Sequence, residues 1–264
     1  MYFNQQAKIA QIAKHIGGAF KFPIDVEGLC KSIGIELKYT NLDSAEAFLL
    51  HKNGKIKILV KKSSSVKRIR FSIAHELGHL LIPWHKQNIY LCNEKDIFRN
   101  GTIKEEIEAN QFAADLLMPV EELRKQGWQN CDFEIILRAA TYFNVSITAA
   151  TIQINKCLDE EAAIVYCCDN KVIWSNKGKY FRGNIRNTRP FEENYDDLCT
   201  EKTLKGYFIK RELESSLWLN NREDDSLHEQ IMLIPSNKGS LSILKFSGDT
   251  NIGFMDYIDP KDFI

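Results

Sequence analysis

The chain has 264 residues, with 35 Lys+Arg against 35 Asp+Glu, 44% hydrophobic and 27% charged. That is an ordinary globular composition, long enough for two cores, and its balanced charge excludes a global field drawing it to nucleic acid or an anionic membrane surface. Residues 1–18 lack the apolar centre of a signal peptide and no apolar run is long enough to span a bilayer, so a cytoplasmic protein that contacts no membrane is expected.

Apolar residues at helical spacing predict a helix over about residues 5–17, stopped at Gly17-Gly18. Pro23 opens a short second helix from Asp25 to Ser32, ended by Gly34. The alternation Ile35-Glu36-Leu37-Lys38-Tyr39 starts a strand. Ala45 to His51 and Lys55 to Val60, joined by Lys52-Asn53-Gly54, predict a hairpin, since Asn-Gly between alternating runs favours a tight turn. Ser63-Ser64-Ser65 supplies N-cap candidates for a helix reaching about Ile82, where Pro83 stops it.

That helix carries His75-Glu76-Leu77-Gly78-His79. Side chains at i and i+4 leave a helix on the same side, so both imidazoles can reach one ion. The carboxylate after the first His is then placed as a general base, which is the pattern of zinc peptidases. One Zn²⁺ per chain is expected, and two solvated histidines are the bland alternative. The seven cysteines (Cys30, Cys92, Cys131, Cys157, Cys167, Cys168, Cys199) contain no Cys-x-x-Cys pair and read as reduced thiols.

A catalytic zinc takes three protein ligands and keeps one position open. His85 lies ten residues after His75, as in zincins with H-E-x-x-H-x-x-G-x-x-H, but position 82 is Ile where that turn needs Gly. His85 therefore reads as a surface or rim histidine. Residues 84–103 look irregular, and a helix follows from about Lys104 to Leu117, with a short helical turn from Glu121 to Gln126. The helix face through Glu106 also carries Ala109, Asn110, Ala113 and Leu117, small enough for close approach to the histidine helix. Asn110 stands one turn beyond Glu106, where its amide oxygen can hold the outer N–H of a metal-bound His. Glu108 shares a face with Gln111 and Asp115 and reads as solvated, while Glu105 suits the helix dipole. Glu106 is the expected third ligand, with Glu108 second.

Two helices within residues 132–157 meet at Asn144-Val145-Ser146 in the outline of a helix-turn-helix, but only Arg138 and Lys156 are basic. A packing module is expected, and direct DNA binding is not. Strands are expected at Ala162 to Cys168 and Lys171 to Trp174, around Asp169-Asn170, and at Leu227 to Pro235 and Ser240 to Phe246, joined at Asn237-Lys238-Gly239. The polar stretch between them holds Arg182, Arg186 and Arg189. The domains expected are 1–128, 129–160 (helical, helix-turn-helix-like) and 161–264 (α/β).

Arg70-Phe71-Ser72-Ile73-Ala74-His75-Glu76-Leu77-Gly78-His79, followed by Glu106-x-x-Ala109-Asn110-x-Phe112-Ala113-x-x-Leu116-Leu117-Met118-Pro119, resembles the ImmA/IrrE family of metallo-endopeptidases. Pro23-Ile24-Asp25-Val26-Glu27-x-Leu29 with Gly34-Ile35, and later Asn144-Val145-Ser146, extend the likeness over about residues 8–157. The resemblance implies an α+β fold: a zincin-like core (a small antiparallel sheet plus the H-E-x-x-H helix), the helical segment and a C-terminal domain that is GAF-like and sensory in some relatives. It implies a cytoplasmic peptidase of narrow specificity that cleaves a helix-turn-helix transcriptional repressor, relieving repression under stress or DNA damage or in mobile-element control.

In that reading His75, His79 and Glu106 hold the zinc, Glu76 is catalytic and Asn110 supports a ligand. The substrate lies extended along the sheet edge from Ala45 to Leu50. Ala45, Phe48, Arg70, His85 and Tyr142 are the candidates to touch it, the last three also as oxyanion donors. The alternative is a non-cleaving regulator or toxin–antitoxin partner with a retained, structural zinc. Such a site needs a fourth protein ligand, and Cys92 is the nearest cysteine in sequence.

Overall fold

The computed structural model describes residues 2–18, 21–43, 45–52, 55–88, 103–128, 130–156, 161–188, 198, 208–220, 226–234 and 239–246. The Asn53-Gly54 and Asn237-Lys238 turns, Cys92, Cys157, Cys199, Arg189 and residues 89–102 of the irregular stretch lie outside these. The chain divides into two compact units, residues 1–122 with 142–146, and residues 123–141 with 147–264.

In the first unit, α1 (Tyr2–Gly17) buries Ile9 and Ala13. The short α2 (Val26–Ser32) is N-capped by Asp25, whose carboxylate accepts the Gly28 N–H at 2.9 Å. Strands β1 (Glu36–Thr40), β2 (Ala47–Lys52) and β3 (Lys55–Lys61) form a sheet in the order β1-β3-β2. The expected all-antiparallel sheet is corrected here: β2 pairs antiparallel with β3, but β1 pairs parallel, Leu37 opposite Ile58 and Tyr39 opposite Val60. Burial explains the order. Ile58 and Val60 of β3 are fully buried, so the strand with the most deeply buried side chains takes the centre. The hairpin fills one side of it, and β1 is left with the other.

In the second unit, α6 (Phe133–Tyr142) and α7 (Ile147–Lys156) are bent by 112° around Asn144, a left-handed residue with φ 51°. A five-stranded sheet follows: β4 (Ala162–Cys168), β5 (Lys171–Lys177), β6 (Phe208–Glu214), β7 (Ser226–Ile234) and β8 (Gly239–Phe246), in the order β5-β4-β8-β7-β6. Asp169 and Asn170, both with positive φ, make the two-residue turn from β4 to β5. Every pairing is antiparallel, so this part is an antiparallel α+β arrangement and not the α/β domain expected from the sequence. The sequence shows the strands but not the pairing, and short connections such as Asp169-Asn170 cannot make parallel crossovers.

β6 is absent from the sequence reading, because Lys210, Arg211, Glu212 and Glu214 mask its alternation. Arg211 is accommodated by the fully buried Glu229 of β7 at 2.7 Å, which also accepts the Ser242 hydroxyl at 2.7 Å. α7 packs on β4 and β5, where Asn155 donates to the backbone and side-chain oxygens of Asn176 at 3.1 and 2.9 Å. Gln230 of β7 accepts the Phe133 N–H at 3.1 Å and donates to Asp132 at 2.6 Å, pinning the start of α6. Val165, Cys167, Trp218, Leu227 and Leu244 form a core within the same unit. Among the described residues no single helix is long and apolar enough to cross a membrane.

Two further helices complete the first unit's centre. α3 (Val66–Leu81), capped by Ser65, packs along α4 (Ile103–Leu117). They meet where Gly78 faces Ala109, so closely that a Cβ on Gly78 would lie 3.1 Å from Ala109 Cα, 3.2 Å from its carbonyl oxygen and 3.2 Å from Phe112 Cβ. Helix propensity alone favours Ala over Gly by about 1 kcal/mol. Here the opposing atoms are a packed backbone that cannot swing aside, so overpacking, which costs about 1–3 kcal/mol, wins. Gly78→Ala should therefore destabilise the fold by up to about 2 kcal/mol, read as a lower denaturation midpoint at unchanged slope.

Candidate metal centre

His75 and His79 come from α3 one turn apart, and Glu106 comes from the first turn of α4. The close contact at Gly78 brings these two surfaces together. His75 Nε2 lies 3.1 Å from His79 Nε2, while the two Glu106 oxygens lie 3.2 Å from His75 Nε2 and 3.3 Å from His79 Nε2. One ligand atom from each residue falls in a group whose members are within 4.8 Å of one another. All three side chains are partly open to solvent, at 12%, 15% and 38% exposure for His75, His79 and Glu106.

The donor set fits a metal on chemical grounds. His75 Nδ1 is 2.9 Å from Asn110 Oδ1, an amide oxygen that can only accept. The imidazole therefore carries its hydrogen on Nδ1, and a neutral ring offers Nε2 as a bare lone pair. That lone pair faces a carboxylate oxygen and a second imidazole nitrogen. Two nitrogens with one carboxylate oxygen converging in this way are a donor set that suits a zinc-like ion. Glu76, which follows His75, is 2% exposed.

Glu108 and His85 stand where the sequence reading did not put them. Glu108 is buried rather than solvated, and His85 is buried at 2% exposure rather than on the rim. After α3 the chain passes Ile82, whose extended backbone (φ −74°, ψ 114°) leads into a 3₁₀ turn, Pro83–Asn88. That turn lays Trp84 and His85 against α4. Glu108 Oε2 takes the Trp84 indole N–H at 2.6 Å and lies 2.8 Å from His85 Nε2, and Lys104 stands 3.6 Å from Oε1. Burial alone would raise the Glu108 carboxyl pKa, but the hydrogen bonds from Trp84 and His85 together bring it below its ordinary value. Gln111 and Asp115, on the face expected to be solvated, bond each other at 2.8 Å, and Asp115 is buried. A Trp immediately after a helix stop was the one sequence signal for this cluster, since an indole there needs a place to bury.

The remaining candidates are placed as follows. Arg70 points its guanidinium at three backbone carbonyls, Ile24 at 2.8 Å, Asn144 at 3.2 Å and Phe143 at 3.4 Å. Burial lowers its pKa, countered by Asp25. The Tyr142 hydroxyl donates to Glu122 at 3.2 Å, and its ring packs on Phe22 and Phe143. Ala45 precedes β2 and Phe48 lies within it opposite Leu59, both half-buried.

Among curated proteins none matches the sequence. A solved structure described as a Mycobacterium tuberculosis transcriptional regulator is similar in fold, with a TM-score of 0.62 at 13% identity over 92% of this chain and 76% of that one. Residues 30–155 match the M78 peptidase model, described as an IrrE N-terminal-like domain, and span both helices of the metal centre. That domain supports membership of the ImmA/IrrE family for this part of the chain.

Proposed function

We propose that this protein is a cytoplasmic zinc endopeptidase of narrow specificity whose substrate is a helix-turn-helix transcriptional repressor. The observation that carries the peptidase reading is the convergence of His75, His79 and Glu106 from two helices on one partly exposed point. These three would hold one zinc ion, with Asn110 keeping the His75 ring in its metal-binding tautomer. Bound there, zinc supplies Lewis acidity to the scissile carbonyl and lowers the pKa of water to about 7.

The chain's own residues do the rest. Glu76, adjacent to His75 on α3, takes a proton from the attacking water and passes it to the leaving amine. Such a base is worth roughly 10²–10⁴ in rate. β2 is an edge strand, paired among the described residues only with β3, and it lies beside α3. An extended substrate segment adds to that edge through main-chain hydrogen bonds, with Ala45 and Phe48 bordering its side chains. The choice of a repressor as substrate, and of a GAF-like sensory role for the C-terminal part, rests on the family likeness. The domain division 1–128, 129–160 and 161–264 is kept as the functional one.

The second reading, a regulator that holds its partner without cutting it, draws on the transcriptional regulator of similar fold. A purely structural zinc normally has four protein ligands, and among the described residues this group has three. Incubating the protein with the product of the neighbouring gene, with and without chelator, separates the readings: cleavage that needs metal supports the peptidase, and intact partner in a stable complex supports the regulator.

Glu76→Gln should retain one zinc per chain after dialysis yet lose cleavage by roughly 10²–10⁴-fold; undiminished turnover would remove Glu76 as the base. Glu106→Ala should abolish stoichiometric zinc, measured by metal analysis. Asn110→Ala should keep zinc but bind it about 10–100-fold more weakly, and equal loss in both variants would contradict this division of roles.

A further inference from the structure

Glu106 and Glu108 are two residues apart on α4, so at about 100° per residue they leave the helix on nearly opposite flanks. One flank meets the two imidazoles of α3. The other meets Trp84 and His85, from the 3₁₀ turn that continues the same segment beyond Ile82. A single stretch, 75–85, thus grips α4 from both sides. His85 closes the loop a second way, since its ring centroid is 5.4 Å from that of His79.

The grip resists rotation of α4 about its axis. A turn of about 20° would carry a side-chain end roughly 2 Å round a helix of about 6 Å outer radius, enough to take a carboxylate out of reach of a metal shared with His75 and His79. The same turn would break the bonds that bury Glu108. That loss is severe, because a buried carboxylate without its donors keeps its desolvation cost. His85 has its Nε2 side committed to Glu108 while its Nδ1, also buried, has no partner among the described residues. Among side-chain hydrogen bonds, its ring is therefore held by the one to Glu108.

We propose that Trp84, His85 and Glu108 are positioning residues for the metal centre: they set the rotational register of α4, which presents Glu106 and Asn110 to the histidine pair, and His85 backs the ring of His79. They do not touch the ion or the substrate. The proposal rests on the reading of His75, His79 and Glu106 as metal ligands.

The test is zinc affinity of the metal-free full-length chain, by competition with a chromophoric chelator, alongside melting of each metal-free variant. Glu108→Ala should weaken zinc binding about 10–100-fold, as loss of outer support does. Trp84→Phe, which keeps an aromatic ring but loses the N–H and part of the indole, should weaken it less. Glu108→Gln, which keeps one acceptor oxygen, should recover part of the loss. Leu29→Ala, buried in α2, serves as the control of stability without the grip.

The cobalt(II) spectrum of Glu108→Ala should also differ from that of the parent chain. Zinc affinity within twofold of the parent in folded Glu108→Ala and Trp84→Phe would overturn the proposal, and so would an equal loss in Leu29→Ala. If Glu108→Ala does not fold, Trp84→Phe and Glu108→Gln carry the same comparison. A parent chain that binds no zinc would defeat the ligand reading itself, whereas a parent that binds and variants that bind equally well would defeat only the positioning role.

Discussion

Two imidazole nitrogens and a carboxylate oxygen held within 4.8 Å of one another depend on one close contact between two helices. Asn110 holds the Nδ1 side of His75, and the absence of a side chain at Gly78 lets the two helices come close enough for Glu106 to reach across. Around the contact, Ala109, Phe112, Ala113 and Leu116 are fully buried. Apolar burial thus supplies the stabilisation that keeps the polar side chains converged. Polar focus and apolar surround are two sides of one helix pair.

The parts of this arrangement that are local were legible in the sequence. An i, i+4 histidine pair is a statement about one helix, as is the choice of Glu106 over Glu108 by the small residues sharing its face. The position of Asn110 one turn on is a third. What was not legible depends on where a segment goes after its helix stops. The Lys104–Leu117 pattern gives no hint that a 3₁₀ turn from residues 83–88 would cover the Glu108 flank, so that carboxylate read as solvated. The parallel pairing of β1 was hidden for the same reason: strand alternation reveals which face is buried but not which neighbour is chosen.

The second unit repeats the lesson with charge. Glu229 is fully buried at the centre of a sheet, yet only pairing with Arg211 and Ser242 makes that tolerable, and both partners come from neighbouring strands. A single strand such as β6, read alone, looks too charged to be covered. The helix pair α6 and α7 illustrates the converse. Its outline is that of a helix-turn-helix, and nothing in the sequence signalled that α7 would pack on β4 and β5, where Asn155 bonds Asn176.

Drawing the third ligand from a second helix also couples the metal to the fold. If all three donors lay on α3, an ion could bind that helix without regard to α4. With Glu106 on α4, full coordination by the proposed ligands would exist only when the helix pair has docked, so an ion held there would bind the native state and stabilise it by mass action. At a free zinc concentration about a thousand times the dissociation constant this linkage is worth about 4 kcal/mol, a large share of a typical domain's net stability. The reciprocal holds as well. Whatever loosens the α3–α4 contact lowers metal affinity, so substitutions far from the ligands but within that contact should act on the metal before they unfold the chain. Gly78 is where the two effects meet most directly, because two of the three atoms that would crowd its Cβ belong to Ala109, in the turn of α4 between Glu106 and Asn110.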